Sequence, residues 1–151
     1  AHPELTPIQV REALRMTANN SATPNNIMGW GLINAYNALL YYGMAWSNEA
    51  TFTKESDYLK VSISLASKYL INDVKIYYSV DEGKTFSEKN LSYIQGNEDG
   101  NKSGLYSVDL SGIPSQGNIY YYFYAKNFDN EESVFPLGAN RKLGNCFVIK
   151  Y

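Results

Sequence analysis

Two periods divide the chain. Between Thr6 and Gly43 apolar residues recur at helical spacing, and from Tyr58 onward they alternate with polar ones. Thr6-Pro7-Ile8-Gln9 has the form of a capping box, with Thr6 at the N-cap, Pro7 at the first helical position and Gln9 placed to reach back to the cap amide. Leu5 and Val10 stand where a hydrophobic staple would close over it. Val10, Ala13, Leu14 and Thr17 make one stripe, and the helix is expected to fade near Asn19-Asn20. The Asn, Ser, Thr, Pro and Gly residues from Asn20 to Gly31 supply turn geometry, so that stretch reads as a loop. Asn34 then caps a second helix with Ala35, Ala38, Leu39 and Tyr42 on one face, stopped by Gly43. Two short helices with one stripe each cannot make a core by themselves.

A short linker is expected from Met44 to Ala50. Beyond it, Leu59, Val61, Ile63 and Leu65 fall on the opposite sheet face from Lys60, Ser62 and Ser64. Val74, Ile76 and Tyr78 alternate in the same way with Lys75, Tyr77 and Ser79. Further strands are predicted at Tyr106 to Leu110, Ile119 to Ala125 and Phe147 to Tyr151, with a first one at Thr51 to Thr53 and a weak one at Leu91 to Ile94. About seven short strands parted by Gly, Asn, Asp and Ser turns form the pattern of a β-sandwich. In the strand Ile119 to Ala125, alternation sends one of two sets inward, Ile119, Tyr121, Phe123 and Ala125 or Tyr120, Tyr122 and Tyr124.

Composition narrows the function. Thirteen basic against fifteen acidic residues give a formal charge of -2, which supplies neither a field for polyanions nor a trap for acidic substrates. Nucleic acid is therefore a poor partner. Fourteen tyrosines suit a half-buried pleated surface. Cys146 is the only cysteine, so an intrachain disulfide and a cysteine-based zinc site are excluded, and its place before Phe147-Val148-Ile149 suggests a buried strand. No segment has the apolar length of a membrane span, and Ala1-His2-Pro3-Glu4-Leu5 lacks the features of a signal peptide. The chain opens in what reads as a loop, which suggests a fragment whose export signal, if any, lies upstream.

Pro3-Glu4-Leu5-Thr6-Pro7-Ile8-Gln9-Val10, then Thr17-Ala18, then Gly29-Trp30-Gly31-Leu32-Ile33-Asn34-Ala35 and Ala38-Leu39, taken in this order, resemble the end of the catalytic domain of subtilisin-like serine proteases. The resemblance covers roughly the first third of the chain. It implies residues 1–46 as the last helices of an incomplete catalytic domain and residues 47–151 as an accessory domain. In that family the catalytic Asp, His and Ser all precede these helices, so no catalytic residue is expected here. His2, the lone histidine, matches a structural His-Pro rather than a catalytic base.

Val74-Lys75-Ile76-Tyr77-Tyr78, Gly104-Leu105-Tyr106-Ser107-Val108 and Ile119 to Asn127 are similar to fibronectin type III-like domains appended to bacterial extracellular hydrolases. Asn127 stands there in place of the family's aspartate, and Asn130-Glu131 in place of its Gly-Asn. The expected fold is thus mainly β, an immunoglobulin or fibronectin type III-like sandwich preceded by two helices. Within it, Ser79, Asp81, Gly83 and Thr85, followed by Phe86, fit the Asp-box pattern, a hairpin in which side-chain oxygens bind the turn backbone. That motif reads as a folding device, with a glycan contact as the alternative.

Asn97-Glu98-Asp99-Gly100-Asn101 and Asp129-Asn130-Glu131-Glu132 are oxygen-rich. They read as solvated turns, with a weak calcium site as the alternative and no other cofactor expected. The resemblance to these appended domains implies Ile119, Tyr121, Phe123 and Ala125 as the core face, which leaves Tyr120, Tyr122 and Tyr124 outside or against a neighbour; that row reads as packing, with a ligand platform as the alternative. The resemblance implies a secreted or cell-surface serine endopeptidase, with the upstream catalytic domain as partner and a protein or peptide substrate reached through it. Self-association through exposed helix faces is a second expected contact. The other functional reading is a non-catalytic adhesion or glycan- or peptide-binding module on a degenerate protease.

Overall fold

The computed structural model describes residues 2–97, 100–113 and 117–150. Helix α1 spans Pro7–Met16, and its capping box is complete. The Thr6 side chain accepts from the Gln9 amide, and the Gln9 side chain accepts from the Thr6 amide at 2.9 Å. The chain leaves α1 at Thr17, a little before the expected Asn19-Asn20, where the Thr17 hydroxyl donates to the Ala13 carbonyl at 2.7 Å. Helix α2 spans Ala35–Leu39 under an Asn34 cap. It stops one turn short of the expected Gly43, so Tyr42 is not on its face. The residue that seats α2 is Leu40, at 6 % exposure, rather than Leu39 or Tyr42. The staple is also looser than the spacing implies, because Val10 remains exposed.

The body is mainly β and consists of two antiparallel sheets, consistent with a β-sandwich. In the first sheet β3 (Tyr58–Ala66) carries β1 (Ala45–Trp46) and β2 (Thr51–Lys54) along one edge and β7 (Gly104–Ser111) along the other. Beyond β7 lies β6 (Ser92–Gly96). The second sheet repeats the plan. In it β8 (Asn118–Asn127) carries β9 (Glu132–Phe135) and β10 (Phe147–Lys150) on one edge and β4 (Ile71–Ser79) on the other, followed by β5 (Ser87–Asn90).

The alternation read from the sequence sets the core. Leu59, Val61, Ile63 and Leu65 of β3, with Tyr106 and Leu110 of the adjacent β7, share one core with Val74 and Ile76 of β4 and Ile119, Tyr121, Phe123 and Ala125 of β8, all buried. Where strands are shorter than expected by pattern, the sequence misleads. Ala45-Trp46 lies in the stretch read as linker, yet it pairs with Ala66 and Leu65, and Met44 and Trp46 belong to the core. Strands β5 and β9, four residues each, were not expected, because an edge strand of that length carries too few alternations to register as a pattern.

Cys146 is not part of a buried strand. It follows a 3₁₀ turn at Leu143–Asn145, is half-buried, and lies with Sγ 3.7 Å from the Ala139 carbonyl oxygen. Strand β10 after it is covered on one face only, with Val148 exposed, because it sits at the edge of β8.

Candidate functional site

The hairpin between β4 and β5 gathers Ser79, Asp81, Gly83 and Thr85. The buried Ser79 hydroxyl donates to Asp81 Oδ1 at 2.6 Å and accepts from the Gly83 amide at 2.8 Å. Asp81 Oδ1 also accepts from the Thr85 amide at 3.0 Å, and Oδ2 accepts from the Thr85 hydroxyl at 2.6 Å. These bonds, from Ser79 first, hold the Asp81 carboxyl well below the usual carboxylate range. Glu82 and Gly83 both have positive φ, 61° and 81°, and a Cβ at Gly83 would overlap the side chain of Leu143. The side-chain oxygens of Ser79, Asp81 and Thr85 all bond within the turn. The arrangement closes a hairpin.

On the outer face of the second sheet Tyr77 and Tyr122 pack on one another. Tyr122 stacks on Tyr77 at a centroid separation of 4.9 Å, and Phe86 leans on Tyr122 at 5.6 Å. Burial, and then a hydrogen bond to Glu88, push the Tyr77 hydroxyl up to about 12, while the same bond and Lys75 hold the Glu88 carboxyl below its ordinary range. Tyr120, Tyr122 and Tyr124 are each half-buried. Leu143 reaches Gly83, so the connection between β9 and β10 folds back toward this face.

Of the oxygen-rich segments, Glu98 and Asp99 lie outside the described residues. In the other, Asn127 organises the turn. Its buried side chain accepts from the amides of Asp129 and Glu131, both at 3.0 Å, and donates to Glu131 Oε2 at 2.7 Å and to Ser67 Oγ at 3.3 Å. Ser67 and Ser103 bind one another's segments in turn, and Asn101 Nδ2 donates to the Ser67 carbonyl at 2.8 Å. Three loops at one pole of the sandwich are thereby joined. Among the described residues no group of three or more His, Cys, Asp or Glu is placed to hold a metal ion. No described helix is long and apolar enough to cross a membrane.

His2 ties the start of the chain to α2. Its Nε2 donates to the Leu39 carbonyl at 3.0 Å, and its Nδ1 lies 3.1 Å from Glu4 Oε1. A general base would need Nε2 directed at a nucleophile, and here a backbone carbonyl takes that position. Burial pushes the Cys146 thiol above its ordinary range.

Two functional placements escaped the sequence reading. Asn127 was noticed only as a substitution in a turn, because its partner Ser67 is remote in sequence. Trp46, at the end of the short apolar run Met44-Ala45-Trp46, has one available signal, since a tryptophan is rarely left in a linker. Its Nε1 donates to Ser133 Oγ at 2.8 Å and its ring stacks on Phe135 at 6.1 Å, which joins the first sheet to the edge of the second. No family model and no curated protein matches the chain.

Proposed function

We propose that the chain is the carboxyl-terminal part of a secreted subtilisin-like serine endopeptidase, in which α1 and α2 complete the catalytic domain and the sandwich is an accessory domain of fibronectin type III-like type. The observation that carries this reading is the uncovered apolar set on the helical segment. Ile8, Met16, Ile27, Met28, Leu32 and Ile33 are all exposed, Ile27 to 95 % and Leu32 to 75 %. Residues of this size stabilise a fold by about 1.5–3 kcal/mol each when fully buried. So many apolar side chains left in water within one short segment suit a segment that packs on a larger body.

The sandwich supports the second half of the reading. Taking β2, β3, β4, β7 and β8 as strands A, B, C, E and F, and β6 and β9/β10 as D and G, the sheets run A-B-E-D and G-F-C, the order of immunoglobulin-like domains, with β5 added beyond C. Catalysis belongs to the upstream residues, since covalent peptide hydrolysis needs a nucleophile with a base in hydrogen-bond reach.

The test expresses the longest open frame that ends in this chain and treats it with a fluorophosphonate probe. Labelling at a serine upstream of Ala1 is expected, with casein hydrolysis lost in step. A frame without a Gly-Thr-Ser nucleophile motif, or a product that neither labels nor cleaves, overturns the proposal.

A further inference from the structure

We propose that the free edge of β9, with the cleft that runs along it, binds an extended peptide carrying basic side chains by strand addition. The cleft measures about 430 Å³ and lies between the first residues of the chain and β9, within the size range of ligand-holding clefts. Glu132 and Val134 from one face of β9 and Ser133 and Phe135 from the other all line it. Consecutive residues of both faces share the cleft only when the strand presents its edge to it.

That edge is unpaired. Strand β9 pairs with β8 alone, and among the described residues no backbone hydrogen bond outside the sheets reaches Glu132–Phe135. The partner that satisfies a row of free amides and carbonyls is another extended backbone. The floor beneath it is apolar, with Trp46 fixed by its bond to Ser133 and its stack on Phe135, and Met44 buried beside it. Alternate side chains of an added strand would rest there.

Charge selects the ligand. Glu4 stands on one wall, Glu131 and Glu132 on the other, and His2 is the only lining residue able to carry a positive charge. The carboxylates have neighbours already: His2 for Glu4 at 3.1 Å, Asn127 for Glu131 at 2.7 Å, and both Lys126, at 3.5 Å, and the Tyr124 hydroxyl for Glu132. A carboxylate accepts several hydrogen bonds, so each retains capacity for a lysine or arginine, whereas an acidic peptide meets like charge. This inference is independent of the protease reading, because it uses only residues of this chain and its failure would leave that reading untouched.

The probe is the labelled peptide acetyl-Val-Lys-Val-Lys-Val-amide, compared with its Glu counterpart and with a form N-methylated at alternate amides. Saturable binding to the chain is expected for the Lys peptide, with amide shifts at Glu132–Phe135 and at the Trp46 indole N–H. About tenfold weaker binding is expected for the N-methylated form and for the Glu4→Lys/Glu132→Lys variant, whose two changed side chains lie on the rim. Melting of that variant confirms its fold. No binding up to millimolar peptide, equal binding of the N-methylated form, indifference to the charge reversals, or shifts centred away from β9 would each overturn the proposal.

Discussion

On the Asp81 carboxylate three short hydrogen bonds converge, and their effect can be read through pH. The folded carboxyl is depressed below its unfolded value, so its contribution to stability is fully present above the unfolded pKa of about 4 and is lost as pH falls toward the folded value. The stability difference between the parent and Asp81→Asn should therefore be largest near neutrality and shrink below about pH 4, as followed by urea unfolding at a series of pH values. A difference that stays constant into acid would show that the carboxylate charge is not what holds the turn. At Gly83 the constraint is the backbone. With φ at 81° and Leu143 against the missing Cβ, Gly83→Ala should cost about 1–3 kcal/mol, readable in the same unfolding curves. This turn was legible from sequence because all its partners lie within a few residues of one another. The Asn127–Ser67 bond was not, since nothing local to either residue announces the other.

Helices and strands follow the same rule at a larger spacing. The long strands β3, β4 and β8 have enough alternations to declare their buried faces, and the α1 cap is written in four adjacent residues. What the pattern did not carry was which helical residue meets the sandwich, because that depends on where α2 stops. Leu40, not Leu39 or Tyr42, is buried. Leu40→Ala should cost about 2–4 kcal/mol, while Ile27→Asp, at a residue 95 % exposed, should leave the melting temperature of this chain unchanged. In the longer polypeptide of the proposed function the same Ile27→Asp change is expected to destabilise. Thermal melting of both variants in both lengths separates a surface that is merely exposed from one that awaits its partner. The cap itself is worth about 1 kcal/mol, the loss expected for Thr6→Ala.

For the whole molecule, Trp46 decides how the parts cohere. It belongs to the first sheet by pairing with Leu65 and to the second by its contacts with Phe123, Phe135 and Ser133. Trp46→Ala should cost about 3–5 kcal/mol and lower the cooperativity of unfolding seen by calorimetry. The purified chain by itself is expected to show no inhibitor-sensitive casein hydrolysis, because its one histidine is committed to Leu39 and Glu4.

The shared edge of β8 has a further consequence. Strands β9 and β10 lie on it in succession, yet the chain between them leaves the sheet from Pro136 to Cys146, and its exposed residues include Arg141 and Lys142. A trypsin cut after Lys142 would sever the polypeptide without removing a single strand. Phe147 and Ile149 would still lie against the core, Phe147 on the rings of Tyr121 and Phe135. The product would be a two-piece molecule that migrates as one species in native conditions and separates only in denaturant, so the connection marks the place where this protein can be split and reassembled from complementary fragments.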